Sequence, residues 1–116
     1  MNLELIREYC LSKKGVTEEY PFDEVSPVYK VMGKIFLIAS IEHPPSINIK
    51  AAPEDIVDMR ERYESVIPGY HMNKTHWNTV YLDGTVPSKL ILEWIDNSYT
   101  LIAAKLKKAD KDKLVE

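Results

Sequence analysis

The chain has 116 residues, of which 45% are hydrophobic, so it is long enough for one domain with a real core and too short for two. Its formal net charge of −3 argues against a protein that coats nucleic acid non-specifically, because such proteins carry a clear excess of Lys and Arg. Residues 1–65 hold twelve acidic and eight basic side chains, whereas residues 66–116 hold six and seven. The second half can therefore present a locally positive surface.

The cysteine content and the apolar runs indicate the compartment. Cys10 is the only cysteine, which excludes an internal disulfide and a cysteine-rich zinc site. The first residues lack the basic and then apolar plan of a signal peptide. The longest apolar run, residues 35–41, is far shorter than the roughly 20 residues that span a bilayer. These features predict a cytoplasmic protein.

The first predicted element is an amphipathic helix over residues 2–13. Asn2 is a suitable N-cap, and Gly15 lies just beyond the helix end. Apolar side chains recur at the spacing of a helix face, at Leu3, Ile6, Cys10 and Leu11. The segment 17–24 that follows is acidic and turn-rich, and we expect a loop there.

Three meandering strands are predicted next. Residues 28–31 and 35–42 form a hairpin through a tight glycine turn. Residues 46–50 alternate polar and apolar side chains, which indicates a half-buried strand whose Asn48 and Lys50 face away from the core.

In the second half of the sequence, the pattern predicts two helices that flank a further pair of strands. Pro53 begins a helix that ends near Glu64, with acidic residues beside the positive end of its dipole. A β-pair follows, with residues 77–82 as its clearest strand, and a long amphipathic helix covers residues 88–106.

The predicted fold class is α+β, in the order α-β(3)-α-β(2)-α. An antiparallel sheet packs one face against the helices and leaves the other partly open. Residues 1–106 form a single domain in this interpretation. Residues 107–116 alternate in charge and have too little apolar content to pack, so we expect a charged, frayed C-terminal tail.

The most specialised stretch is V-I-P-G-Y-H-M-N-K-T-H-W-N-T-V-Y-L, residues 66–82, which holds aromatic, imidazole, amide and ammonium groups without an acidic side chain. Followed by D-G, it resembles the signature of the MmcQ/YjbR family. The resemblance extends to G-V-T-E-E-Y-P-F near the start and to S-Y-T-L-I-A-A-K-L in the last helix, and so covers nearly the whole chain.

This resemblance implies a small bacterial cytoplasmic protein with an α-β(3)-α-β(2)-α arrangement. The family fold is likened to type III secretion chaperones or to a CyaY-like fold. Members are labelled DNA-binding because of a "double wing" of β-hairpins, so the resemblance implies DNA as a partner.

A DNA-binding surface would lie on the 70–78 loop and its flanking strands. Lysines would contact phosphates, amides would hydrogen-bond to the backbone or base edges, and aromatic rings would stack on unpaired bases. The candidate residues are Lys50, Tyr70, His71, Asn73, Lys74, His76, Trp77 and Asn78. The alternative is that the aromatic residues pack in the sheet and the asparagines supply turn hydrogen bonds.

Other chemistries find little support in the sequence. His71 and His76 lie five residues apart without an acidic or thiolate third ligand in the window, so we expect no metal site. Cys10 and the pair Glu18 and Glu19 have no evident catalytic partner, and no cofactor motif is present. We therefore expect neither an enzyme nor a cofactor.

A second interpretation is a protein- or peptide-binding adaptor, chaperone-like, that uses the open sheet face. The acidic composition suits this function. It predicts salt-tolerant binding, whereas DNA binding predicts an affinity that falls steeply with salt. A monomer is favoured over a dimer in either case.

Overall fold

The structure, a computed structural model, describes residues 1–42, 44–69 and 72–115. This described part contains four helices and six strands. In chain order they are α1 (Leu3–Leu11), β1 (Val16–Glu19), β2 (Val28–Val31), β3 (Lys34–Ser40), β4 (Ser46–Lys50), α2 (Pro53–Arg62), β5 (Val66–Pro68), β6 (Trp77–Tyr81), α3 (Ser88–Ala103) and α4 (Lys108–Leu114).

The six strands form one antiparallel sheet in the order β1-β2-β3-β4-β6-β5. The neighbours β1 to β4 follow one another in the chain, with a tight turn between β2 and β3, and α2 carries the chain from β4 to the edge strand β5. The predicted α+β class with an antiparallel sheet against helices is therefore confirmed.

One face of the sheet carries the core. Ile47 and Ile49 of β4 are fully buried there, together with the apolar sides of α1, α2 and α3. The hydroxyl of Ser98 on α3 donates to the carbonyl of Phe36 at 2.6 Å and accepts from the amide of Lys50 at 2.9 Å. These two bonds hold α3 across β3 and β4.

Strand register identifies the residues on the opposite face of the sheet, which we call the open face. Residues paired across an antiparallel ladder point to the same side. In β4 the open-face residues are Ser46, Asn48 and Lys50, paired respectively with Tyr81, Thr79 and Trp77 of β6. The prediction that Asn48 and Lys50 face away from the core is confirmed.

The helix boundaries in the first half follow the sequence signals. Asn2 caps α1, and its side-chain oxygen accepts from the amide of Leu5 at 2.9 Å. Pro53 occupies the first turn of α2, where its missing N–H costs no hydrogen bond.

The sequence did not reveal β1. The acidic segment expected as a loop pairs with β2 as an edge strand. Its charges have long-range partners: Glu18 accepts from Arg7 at 2.9 Å and from the Tyr29 hydroxyl at 2.8 Å, and Glu19 pairs with Lys30 at 3.2 Å. These contacts explain why a strand with two adjacent acidic residues is stable.

The C-terminal residues also differ from expectation, because residues 108–114 form α4 rather than a frayed tail. Leu106 in the preceding turn is buried, and Leu114 packs against the core beside Gly15 and Met32. Two apolar residues at the right spacing are enough to dock an otherwise charged helix.

Candidate functional site

The two ends of the sheet differ in charge. Lys34 begins β3, Lys50 ends β4, Lys74 precedes β6 and Lys105 follows α3. The antiparallel register places these positions at one end of the sheet, which we call the basic end. α4, with its lysines, docks at the same end through Leu114.

The opposite end is acidic. The loops that leave β3 and β6 and enter β5 meet there, and they carry Glu42, Asp83 and Glu64 respectively. Hydrogen bonds from the Ser65 hydroxyl at 2.6 Å and the Thr85 amide at 3.0 Å lower the pKa of Asp83. We call this the acidic end.

Lys50 and Lys105 are the defining pair of the basic end. Lys105 lies close enough to Lys50 to act on its charge, and this neighbour, with partial burial, lowers the pKa of Lys50 to about 8. Within the described part of the chain, neither ammonium forms an ion pair with a carboxylate. Asp55 and Asp58 line the same cavity as Lys50 but form no ion pair with it, so two neighbouring cations without a paired carboxylate remain to attract an anion.

The segment before β6 forms a turn that places the predicted residues beside this pair. The Asn73 side chain accepts from the Thr75 amide at 2.9 Å, and its carbonyl accepts from the amides of His76 and Trp77. The His76 carbonyl in turn accepts from the Ala51 amide at 3.0 Å, just after Lys50. The turn is therefore fixed at the basic end.

Most of the predicted DNA-binding residues that the structure describes lie together at the basic end. Lys74 and Asn73 are exposed, whereas His76 and the indole of Trp77 are half-buried. Trp77 is the register partner of Lys50, so the two residues start from the same face of the sheet, but the Lys50 side chain also lines a cavity with Asp58 of α2 and Trp94 of α3. Tyr70 and His71 lie outside the described residues.

Asn78 does not belong to this surface. It is 0% exposed, and its Oδ1 accepts from Nε of Arg60 at 2.6 Å. Its Nδ2 donates to the carbonyl of Ile56 at 3.1 Å. A buried amide with both ends bonded cannot reach DNA, so we remove Asn78 from the candidate interface and assign it to the contact between α2 and β6.

The sequence analysis missed Arg60 and Lys105. Arg60 also donates to the carbonyl of Lys74, and this hydrogen bond ties the turn to α2. Lys105 lies 55 positions from its neighbour Lys50, and no local pattern links them. The burial of Asn78 had a signal: on a strand it shares a face with Val80, two residues on.

The open face also carries a groove composed of two adjoining cavities. The first, of about 470 Å³, is mainly apolar and is lined by Phe22, Ile35, Ile38 and Met72 among others. The second, of about 660 Å³, extends to the acidic end. Ser40 and Asn48 line both cavities. We refer to the two together as the sheet groove.

Cys10 offers no reactive thiol. It is 0% exposed in the core, and desolvation by burial is the main reason that its pKa is raised to about 12. A thiol that stays protonated at neutral pH is a poor nucleophile. Cys10 acts as a small buried hydrophobic residue, in agreement with its predicted place on the apolar face of the first helix.

The described residues contain no group of three or more His, Cys, Asp or Glu side chains that could hold a metal ion. None of their helices is long and apolar enough to cross a membrane.

The fold and surface define a class of small α+β domain in which three helices cover one face of a six-stranded antiparallel sheet. The sequence profile of the YjbR family matches residues 11–101. The chain belongs to the YjbR family.

Relatives and solved structures agree with this assignment. The chain is 33% identical to the uncharacterized protein YjbR of Escherichia coli K12, over 99% of this chain and 98% of that protein. It is 35% identical to the uncharacterized protein YbdF of E. coli O157:H7, over 82% of this chain and 79% of that one.

Among solved structures, the crystal structure of Deinococcus radiodurans protein DR2400, with its DUF419 domain, matches with a TM-score of 0.91 and 34% identity. That match covers 98% of this chain and 88% of the other. A Pseudomonas syringae protein matches with a TM-score of 0.78 and 26% identity, over 88% and 99% of the two chains.

Proposed function

We propose that this protein is a non-catalytic, cytoplasmic DNA-binding protein whose contact surface is the basic end of the sheet. The observation that carries the proposal is the pair Lys50 and Lys105, which meet without a carboxylate partner among the described residues. Phosphate groups are the anions that a DNA-binding protein neutralises with such lysines.

The energetics of the pair support an anionic ligand. Two neighbouring ammonium groups repel, and the pKa of Lys50 falls to about 8 because of Lys105 and partial burial. A phosphate between them would attract both charges and favour the protonated form of Lys50. Binding would therefore relieve an unfavourable interaction that the free protein contains.

The neighbouring groups suit a nucleic acid better than a simple anion. The turn formed by residues 73–77 presents the exposed Lys74 beside the pair. Trp77 offers part of an indole face next to Lys50, and an unpaired base can stack on such a face. α4 adds lysines at the same end, which lets a protein of net charge −3 attract a polyanion locally.

The test is a titration of labelled double- and single-stranded DNA by fluorescence anisotropy, at about 50 and 200 mM salt. We expect saturable binding that weakens strongly over this range. Lys50→Gln with Lys105→Gln should reduce the slope of log affinity against log salt by about 1.8 for duplex DNA, since each phosphate contact contributes about 0.9.

Matched variants separate charge from structure. Lys50→Arg with Lys105→Arg keeps both charges and should retain binding. Lys89→Gln removes an exposed charge at the start of α3, near the acidic end, and should have no effect. Absence of binding at about 50 μM protein in low salt, or equal losses in Lys89→Gln and the double variant, would rule out the proposal.

A second candidate function is supported by a different observation, the sheet groove. A monomeric adaptor or chaperone-like module would use this open face to hold a segment of another protein. The groove combines an apolar cavity with a polar one in a continuous surface, which is the usual composition of a peptide site. DNA at the basic end and a peptide in the groove would not compete for the same residues.

A further inference from the structure

We infer that the sheet groove is a binding site for an extended peptide that carries bulky apolar side chains and, a few residues away, Lys or Arg. This inference rests on the second candidate function and specifies its ligand. The chemistry of the two ends of the groove, and the polar groups on its floor, carry the argument.

The apolar end would hold the hydrophobic side chains. Phe22 lines this cavity and is 66% exposed, which is unusual for a phenylalanine. Met72 lines it from the β5–β6 connection, and Ile35 and Ile38 form the floor on β3. An exposed aromatic ring and a flexible thioether around an aliphatic floor are suited to apolar side chains of varied shape.

The acidic end would hold the basic side chains. Glu42, Glu64 and Asp83 line the second cavity, and in the described structure none of them pairs with Lys or Arg. The lowered pKa of Asp83 keeps that carboxylate charged at neutral pH. Three unneutralised carboxylates around one cavity favour a cationic ligand.

The floor between the two ends supplies hydrogen bonds suited to a peptide backbone. Ser46 is only 7% exposed and faces the groove, and among the described residues its hydroxyl has no hydrogen-bond partner. Asn48 accepts from the Thr79 hydroxyl at 2.5 Å with its Oδ1, and the residue lines both cavities of the groove. The Ser46 hydroxyl is not sealed from solvent, so a peptide carbonyl or amide in the groove could bond to it in place of water.

The length of the groove matches a short extended segment. The floor runs along β3 from Ile35 to Ser40. The six residues are separated by five steps of about 3.3 Å, about 17 Å in all, so a peptide of about five or six residues would reach from the apolar to the acidic end. A free amino acid or a simple cation would contact only one end.

The experiment is an NMR titration of the ¹⁵N-labelled full chain with an eight-residue peptide in which Leu-Phe precedes Lys-Arg by two serines. We expect amide shifts at Ser40, Ser46, Asn48 and Tyr81, with those near Lys105 unmoved. A peptide with Glu-Glu in place of Lys-Arg should bind at least about fivefold more weakly, as should one with two serines in place of Leu-Phe.

Variants on the protein test the acidic end without touching its hydrogen bonds. Glu42→Gln with Glu64→Gln should weaken the Lys-Arg peptide about fivefold, whereas Glu93→Gln on the exposed side of α3 should not. If the three peptides bind equally well, the ligand chemistry is wrong although peptide binding stands. If none shifts the groove amides at millimolar concentration, the inference and the second candidate function both fail. DNA binding by the basic end is unaffected by either result.

Discussion

Nε of Arg60 on α2 donates to Oδ1 of Asn78 on β6 at 2.6 Å, and the other end of the same amide donates to the Ile56 carbonyl at 3.1 Å. Asn78 thereby joins the helix to the sheet inside the core, where it is 0% exposed. Arg60 continues to the Lys74 carbonyl, so one guanidinium connects the buried amide to the surface turn. The amide is structural, and the turn above it is the candidate binding surface.

We expect Asn78→Ala to lower the free energy of unfolding by about 2 to 3 kcal/mol, because it leaves Arg60 and the Ile56 carbonyl without their partner in the core. Urea denaturation measures this loss. Asn97→Ala, on the exposed side of α3, is the control and should change stability by less than about 0.5 kcal/mol. The DNA affinity of the folded Asn78→Ala protein should equal that of the wild type; a loss of affinity without a loss of stability would return Asn78 to the interface.

The sequence predicted most of the fold, because its helices and central strands carry local signals. The N-cap Asn2, Pro53 in the first turn of α2 and the alternation over residues 46–50 each determine an element from its own residues. β1 and α4 depend instead on distant partners. Glu18 is acceptable in a strand because Arg7 and Tyr29 meet it, and those contacts are not visible in the local pattern.

The candidate site was predicted only in part for the same reason. Asn73, Lys74, His76 and Trp77 are neighbours in sequence and could be identified together as one segment. The pairing of Lys50 with Lys105 arises from the packing of α3 across β4, which brings two remote segments to one end of the sheet. Tertiary packing, rather than any motif, creates that charge cluster.

The pair Lys50 and Lys105 should make the free energy of unfolding depend on pH in the alkaline range. Lys50 loses its proton near pH 8 in the folded state, whereas an ordinary lysine keeps it to about 10.4. Between these values the unfolded state binds more protons, so this group makes the free energy of unfolding rise with pH. Lys105→Gln should remove part of that rise and stabilise the protein at pH 7, by less than about 1 kcal/mol.

The measurement is the difference between wild type and Lys105→Gln in urea denaturation from pH 7 to 10, with Lys89→Gln as the control. A difference is needed because burial of Cys10, with its pKa raised to about 12, acts in the opposite direction above pH 8.5. An NMR titration of the Lys50 ε-carbon should show its pKa moving up in Lys105→Gln. An unchanged Lys50 titration would mean that the two ammonium groups are not in contact.

Lys74→Ala tests the contribution of the turn of residues 73–77 to DNA binding, separately from that of Lys50 and Lys105. Its side chain is exposed, and its backbone carbonyl, which holds Arg60, remains in the variant. We expect a several-fold loss of DNA affinity at low salt, a salt slope smaller by about 0.9, and a thermal midpoint nearly unchanged. Adding Asn73→Ala removes the hydrogen bond to the Thr75 amide, so the double variant should also loosen the turn. Full DNA affinity in Lys74→Ala would remove the turn from the interface.

The docking of α4 is tested at Gly15, which has a φ of +74°. A Cβ there would lie 2.7 Å from Cδ2 of Leu114 and 3.1 Å from Sδ of Met32. Gly15→Ala should therefore destabilise the protein both through left-handed strain, about 1 kcal/mol, and through the clash with α4. Gly84→Ala is a matched control, because Gly84 has a φ of +88° and its Cβ would meet nothing within 4 Å.

Combining Gly15→Ala with Leu114→Ala tests whether the added methyl group at residue 15 clashes with the Leu114 side chain. Leu114→Ala alone should cost about 1 kcal/mol, since it removes a half-buried contact with the core. If α4 docks as described, the double variant Gly15→Ala with Leu114→Ala should lose less stability than the sum of the single losses, because the truncated side chain makes room for the new methyl group. The pair Gly84→Ala with Leu114→Ala should be additive within about 0.5 kcal/mol. Additivity in both pairs would show that α4 does not pack on Gly15 in solution, and its lysines would then no longer be fixed at the basic end.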